Sequence, residues 1–224
     1  LEKDPDDVNA YNERGIAYGK RGDLDKALSD FNKAIALSPK SAEIYMNRGN
    51  VYFGKKEYNQ AVKDYSKAIS LDPSLEEAYI TRARVYIQMG EYDKAIMDFT
   101  QVIANNPDLP ELYFIRGSAY SAKGEYNNAI NDFNLAIEIS PNFADAYVSR
   151  SIIYSKMGYY DEAIAGFNQA LKLNPHIYLV YQLRGDAYSS KGDYNNAIKD
   201  FSKLIKIAQN LPMLILVEVQ LILR

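Results

Sequence analysis

An arginine recurs every 34 residues, at Arg14, Arg48, Arg82, Arg116, Arg150 and Arg184. Sixteen residues after each comes an aspartate, at Asp30, Asp64, Asp98, Asp132 and Asp200, with Gly166 in the fifth place. A guanidinium is a planar fork of donors that takes a carboxylate or phosphate in two parallel hydrogen bonds. The row therefore has two possible uses: it receives anionic ligands, or it pairs internally with the aspartates. The constant spacing favours a ladder of internal pairs, with Arg150 left to find another partner. Other reactive groups are scarce. There is no cysteine, which removes disulfides, thiolate metal sites and thiol nucleophiles. The single histidine, His176, follows Pro175 in a loop and has no partner that would position it as a base. No phosphate-cradling glycine loop occurs, and no two carboxylates can be matched as an acid–base couple. The expectation is a chain that is not an enzyme and uses no cofactor or metal.

Twenty tyrosines raise the possibility of base stacking. The charge balance argues against nucleic acid, because a net charge of -3 is not the basic footprint such binding needs. Counting positions removes the rest of the case. Twelve tyrosines fill two fixed places in a repeat, Tyr11 and Tyr18 in the first copy and Tyr181 and Tyr188 in the last. Tyr58, Tyr92, Tyr126, Tyr160 and Tyr194 occupy a further place, and Tyr65 another, so only Tyr159 and Tyr178 fall outside. These rings read as repeat packing. Nothing signal-like opens the chain, which begins at Leu1.

The elements that position these residues are punctuated by proline. Pro5, Pro39, Pro73, Pro107, Pro141 and Pro175 share the same period, which marks a stacked repeat array. The frame gives six uninterrupted units: 8–41, 42–75, 76–109, 110–143, 144–177 and 178–211. The two tyrosines of each unit are seven residues apart, two helical turns, and so share one face of a first helix. Between them the residue is small, Gly15, Gly49, Ala83, Gly117, Ser151 or Gly185, which lets a neighbour approach closely. Gly22, Gly90, Gly124, Gly158 and Gly192 suit a left-handed cap ending that helix, whereas Lys56 in the second unit should be strained. Asp25, Asn59, Asp93, Asn127, Asp161 and Asn195 are expected as N-caps of a second helix. That helix carries Ala27 and Phe31 and their equivalents and stops before the proline. Ser74 and Glu77 read as a capping box opening the third unit.

This combination of small residues, aromatics, turn glycines and terminal prolines resembles the tetratricopeptide repeat (TPR) family, over residues 8–211. The resemblance implies an all-α fold, a right-handed superhelical solenoid of stacked antiparallel helix pairs. It further implies a concave groove, lined mainly by first helices, that holds a partner peptide or helix. Positions two, five, nine and twelve of each unit would face that groove. The candidate partner-binding residues are then Met46, Asn50, Phe53, Ile80, Arg84, Ile87, Phe114, Ser118, Val148 and Ile152. Their apolar members form a candidate interaction patch; the alternative is that they pack against neighbouring first helices. Glu43, Glu77, Glu111 and Asp145 form an acidic row that complements helix N-termini or favours basic ligands.

Family members that clamp a C-terminal carboxylate use lysine, asparagine and arginine in the groove. Here those places hold Asn12, Ile16, Asn47, Glu77 and Thr81, and only Asn47 matches. A hydrophobic or basic segment is the expected ligand. Residues 1–7 read as the end of a preceding unit or a linker, so the chain is expected to be a piece of a longer array or of a larger protein. Residues 212–224 are apolar on nearly every side and too short to span a bilayer. They read as a terminal helix making an oligomer contact, although Val217, Glu218, Val219, Gln220 and Leu221 alternate as a strand would. The leading function is a protein-binding scaffold. The alternatives are a self-association module working through the tail or groove, and the docking arm of a larger enzyme.

Overall fold

The computed structural model describes residues 6–210. Residues 212–224 and the first five residues, on which the tail and preceding-unit expectations fall, lie outside the described residues. Among the described residues there are twelve α-helices and no strand. The chain divides into two compact units at Pro107–Asp108. The first holds α1 (Val8–Arg21), α2 (Leu24–Leu37), α3 (Ala42–Gly54), α4 (Tyr58–Leu71), α5 (Glu76–Gln88) and α6 (Tyr92–Asn105). The second holds α7 (Pro110–Lys123), α8 (Tyr126–Ile139), α9 (Ala144–Lys156), α10 (Tyr160–Leu173), α11 (Tyr178–Lys191) and α12 (Tyr194–Asn210). Each unit is thus three helix pairs. Short turns fold the helices of a pair back on one another, and successive pairs of a unit pack side by side.

The pairs are closed by one aromatic ring. Phe31, Tyr65, Phe99, Phe133 and Phe167 are fully buried, each on the face of the second helix that meets the first. The small residue between the two tyrosines exists for this ring. A Cβ on Gly15 would stand 2.9 Å from Phe31 Cε1, and one on Gly49 2.8 Å from Tyr65 Cε1. The close approach is therefore of an aromatic edge onto a helix backbone, rather than of backbone onto backbone. Ala27, Ala61, Ala95, Ala129 and Ala163 are wholly inaccessible one turn before the ring, and keep the two helices close.

The turn between the helices of a pair has a fixed geometry. Gly22 has φ 89° and its N–H bonds back to the Gly19 and Tyr18 carbonyls; Gly124 and Gly192 do the same at 87°. Lys56 takes this place in the second pair with φ 60°, a region disfavoured for a side-chain-bearing residue. The second helix begins two residues after the glycine, at Leu24 in the first pair. Asp25, Asn59, Asp93, Asn127, Asp161 and Asn195 consequently sit inside the first turn and are not its N-caps. The capping positions are held by Asp23, Glu57, Glu91, Glu125 and Tyr159, none with a side-chain cap bond. The expected N-caps serve instead as first-turn residues, and Asp25 and Asp161 receive Lys55 and Lys191 from the following pair. The capping box at Ser74 and Glu77 does not form either. Helix α5 starts at Glu76 after Leu75, and Ser74 donates through N–H and Oγ to Asp72 Oδ1, 2.9 and 2.6 Å away, an Asx turn.

A non-glycine residue held left-handed costs roughly 1–2 kcal/mol. Lys56→Gly should therefore raise unfolding stability by about 1 kcal/mol in urea titration. No gain would mean the lysine side chain compensates locally.

Candidate protein-interaction site

The arginine row belongs to the scaffold. Asp30 accepts from Arg14 Nε and Nη2 at 2.7 Å each, and Asp64 accepts the same pair of bonds from Arg48. The Arg82–Asp98 and Arg116–Asp132 pairs repeat this at 2.8 and 2.7 Å, and Arg184 pairs with Asp200. All five aspartates are buried. Each guanidinium also lies over the tyrosine one turn before it, and those of Arg14, Arg48, Arg82 and Arg150 lie over the following tyrosine as well. Arg48 is 5.6 Å from the Tyr45 ring centroid and 5.8 Å from Tyr52, and Arg82 is 5.7 and 5.9 Å from Tyr79 and Tyr86.

The third partner is one the sequence reading missed. Arg48 Nη1 donates to Asn32 of the preceding pair at 2.7 Å, Arg82 to Ser66 at 2.9 Å and Arg184 to Asn168 at 2.6 Å. Arg150 donates likewise to Asn134. The signal was present as a polar residue sixteen before Arg48, Arg82, Arg150 and Arg184. The Asp64 carboxylate holds Arg48 above its ordinary pKa against the opposing effect of burial, and Asp132 and Asp200 do so for Arg116 and Arg184.

The opposite side of the first helices carries the candidate site. In the first unit Asn50 and Arg84 are exposed, and Phe53, Ile80 and Ile87 are half-buried. Met46 corrects the expectation of an open patch. It is 8% exposed and packs in the core with Ala61, Tyr65, Ala78 and Val85, with Phe53 against the same cluster. The cause is that α3 turns its fifth residue toward α4 and α5, which an unbranched thioether fills readily. In the second unit Phe114 is half-buried, with ring centroids 5.7 Å from Phe133 and 5.0 Å from Phe143. Ser118 turns its hydroxyl onto the Phe114 carbonyl at 2.8 Å, and Val148 and Ile152 pack against the Phe167 cluster. Glu43, Glu77, Glu111 and Asp145 are all exposed. His176 is exposed in its loop, where its backbone N–H donates to Asn174 Oδ1.

Two cavities lie between consecutive first helices and were not anticipated. One of about 440 Å³ opens between α1 and α3, bounded by Ile16, Gly19, Lys20, Asn47, Asn50 and Gly54. It exists because Gly19 stands where Phe53 and Ile87 stand in the next two pairs. Its two asparagines are hydrogen-bonded to neighbouring side chains. Asn47 donates to buried Asn12 at 3.1 Å, Asn12 donates to Glu43 at 3.3 Å, and Tyr65 Oη donates to Asn50 Oδ1 at 2.7 Å. The last bond engages the Asn50 carboxamide through its oxygen. Burial pushes the Tyr65 phenol above its ordinary pKa, so it stays a donor. A second cavity, about 250 Å³, lies between α9 and α11 at Ile152, Ser155, Leu183 and Asp186.

Stacked helix pairs with a variable face on their first helices define a helical-repeat scaffold. The chain belongs to the tetratricopeptide repeat family. Models described as "Tetratricopeptide repeat" match residues 1–29, 42–75, 144–177 and 178–211, and one described as "TPR repeat" matches 19–56, 83–124 and 117–158. Among solved structures, a MamA protein is similar at 28% identity and TM-score 0.71, over 77% of this chain and 97% of that one. A tetratricopeptide repeat protein from Parabacteroides merdae is similar at 24% identity and TM-score 0.77, over 89% and 79%. YrrB, described as a TPR protein with an unusual peptide-binding site, is similar at 22% identity and TM-score 0.69, over 80% and 92%. No curated protein matches the chain significantly. The fold is one generally used for protein-interaction scaffolds without catalysis.

Removing one partner of a shielded pair strands the other charge, at a cost of about 3–5 kcal/mol. Asp98→Ala should lower stability by about 3 kcal/mol in urea titration, the low end because Arg82 keeps 17% side-chain exposure. A loss under about 1 kcal/mol would release the row for ligand binding.

Proposed function

We propose that the chain is a non-catalytic scaffold that takes an apolar or basic partner segment along the first helices of its pairs. The carrying observation is the α1–α3 cavity, an apolar slot made by Gly19 and Gly54 and edged by the positioned carboxamides of Asn47 and Asn50. Such a slot suits one large apolar side chain. The Asn50 N–H₂ is a donor and the Asn47 oxygen an acceptor, the two kinds of group that a peptide backbone pairs with. Phe53, Ile80 and Ile87 extend the apolar surface, with Met46 as its floor. Exposed Asn50 and Arg84 give it direction, and Glu43 and Glu77 favour basic flanks over an acidic terminus. In the second unit Phe114, Ser118, Val148 and Ile152 form the corresponding face.

The test is selection of peptides from a random display library, followed by affinity measurement on two variants. A Cβ on Gly19 meets only Val51 Cγ2, at 3.8 Å, so Gly19→Leu can fill the slot without a clash at Cβ. Selected peptides should carry a large apolar residue, and Gly19→Leu should weaken them at least about tenfold, or roughly 1.4 kcal/mol. Ile80→Ala/Ile87→Ala should weaken them while leaving the circular dichroism spectrum intact. Unchanged affinity in both variants would move the site elsewhere.

A second reading has its own observation. Helix α12 exposes Tyr194, Ile198 and Ile205 at 65, 62 and 58%, spaced so that they share one stripe. An apolar stripe of this kind favours self-association. Mass in solution by light scattering decides it: a dimer that dissociates in Ile198→Lys/Ile205→Lys supports association through α12, and a monomer at all concentrations removes it.

A further inference from the structure

The fifth helix pair keeps an arginine socket without its aspartate. Arg150 lies 5.5 Å from the Tyr147 ring centroid and 6.0 Å from Tyr154, and donates Nη1 to Asn134, as its equivalents do. The carboxylate is missing because residue 166 is glycine. Arg150 Nε is buried and meets no protein acceptor. Beside it Ser151 is 0% exposed, and its Oγ is likewise buried without a protein partner. That hydroxyl stands 2.0 Å from where a Cβ on Gly166 would be. The two departures are therefore one event: the serine oxygen has moved into the root of the absent aspartate, and the guanidinium it would have met stays in place.

We infer that Arg150, Ser151 and Gly166 form a binding site for a carboxylate supplied from outside the helix pair. The ligand class follows from the intact pairs, in which Nε and Nη2 of the arginine hold the two oxygens of one carboxylate. The same edge of Arg150 presents the same two donors, and Ser151 adds a hydroxyl at the back. Arg150 as a whole is half-buried rather than fully enclosed. A buried donor left unmatched is costly, so an incoming carboxylate gains what the internal pairs already have. The ligand is a small free carboxylate or the side chain or terminus of a partner. At 100° per residue, Arg150 lies across α9 from Val148, Ile152 and Ser155, so this site is independent of the face proposed above.

Formate is the probe, added to the full chain at constant ionic strength against chloride. The guanidinium Nε–Hε resonances of Arg150 and Arg82 are followed together by NMR, Arg82 being the paired control. Arg150 should shift saturably and Arg82 should not. Ser151→Ala/Gly166→Asp rebuilds the arrangement of Ala83 with Asp98, and should bind formate at least about tenfold more weakly. A short peptide with a glutamate side chain and an amidated terminus, a peptide with a free C-terminus only, and formate alone then separate the sources by competition. Equal, non-saturating shifts of Arg150 and Arg82 would overturn the site even if the double variant fails to fold. So would formate affinity unchanged in a folded double variant.

Discussion

The interaction on which the fold depends is the arginine held between two tyrosine rings and an aspartate. It joins three pieces of chain at once. The rings belong to the arginine's own helix, the carboxylate to the helix folded back on it, and the Nη1 acceptor to the pair before. A charged group in a half-buried place is costly unless its donors are matched. Here the aspartate takes two and a polar side chain of the preceding pair a third. The pairing therefore fixes register within a pair and between pairs, which apolar contacts between alanines and a phenylalanine leave less defined. Arg14, with no preceding pair among the described residues, is 46% exposed, where Arg116 is 15% exposed.

This arrangement explains the rest of the local sequence. The tyrosines need seven-residue spacing to bracket one guanidinium. The buried aromatic of the second helix sits one residue after the aspartate, so the pair and the ring are delivered together, as Asp64 and Tyr65 are. The ring then requires a residue with little or no side chain on the facing turn, supplied by Gly15 and Gly49. Ser151 can carry an oxygen there because Gly166 has lost its Cβ. Turn geometry follows its own constraint: the left-handed residue reverses the chain in so few residues that α2, α4, α6, α8 and α10 start without a side-chain cap, whereas Asp193 accepts from the Asn196 N–H at the start of α12.

Much of this was readable in the sequence, and the pattern of successes has a cause. Periodic features are repeated tests of one hypothesis, so the helix pairs, the Arg–Asp ladder, the left-handed glycines and the strain at Lys56 could all be read from spacing. What could not be read depends on a shift of one or two residues or on a local orientation. Asp25 is a good capping residue by type, yet the short turn places it inside the helix. Ser74 found Asp72 two residues back before it could cap α5. Met46 looked like groove surface by position, but its burial depends on how far α3 rotates toward α4 and α5. The cavity beside Asn50 comes from the absence of side chains at Gly19 and Gly54, and a missing side chain shows little periodic signal.

The division of labour across the first helix is the final step. Residues seven places into each unit carry the charge that holds the array together, and residues five, nine and twelve places in lie across the helix from it. The structural side is nearly invariant from pair to pair: arginine six times, with two tyrosines each time. The other side changes at every step, from Asn12 through Met46, Ile80, Phe114 and Val148 to Gln182. A stack whose pairs are tied on one side can tolerate more varied chemistry on the other, where pairs are joined only locally, as by Asn12 with Asn47 and Glu43. The variable side still contributes packing where Met46 and Phe53 enter the core, so its freedom is partial at those positions and greater where Asn50 and Arg84 face solvent. A ligand that read this face would meet a different residue type every 34 residues, which is how a uniform scaffold acquires a directional binding surface.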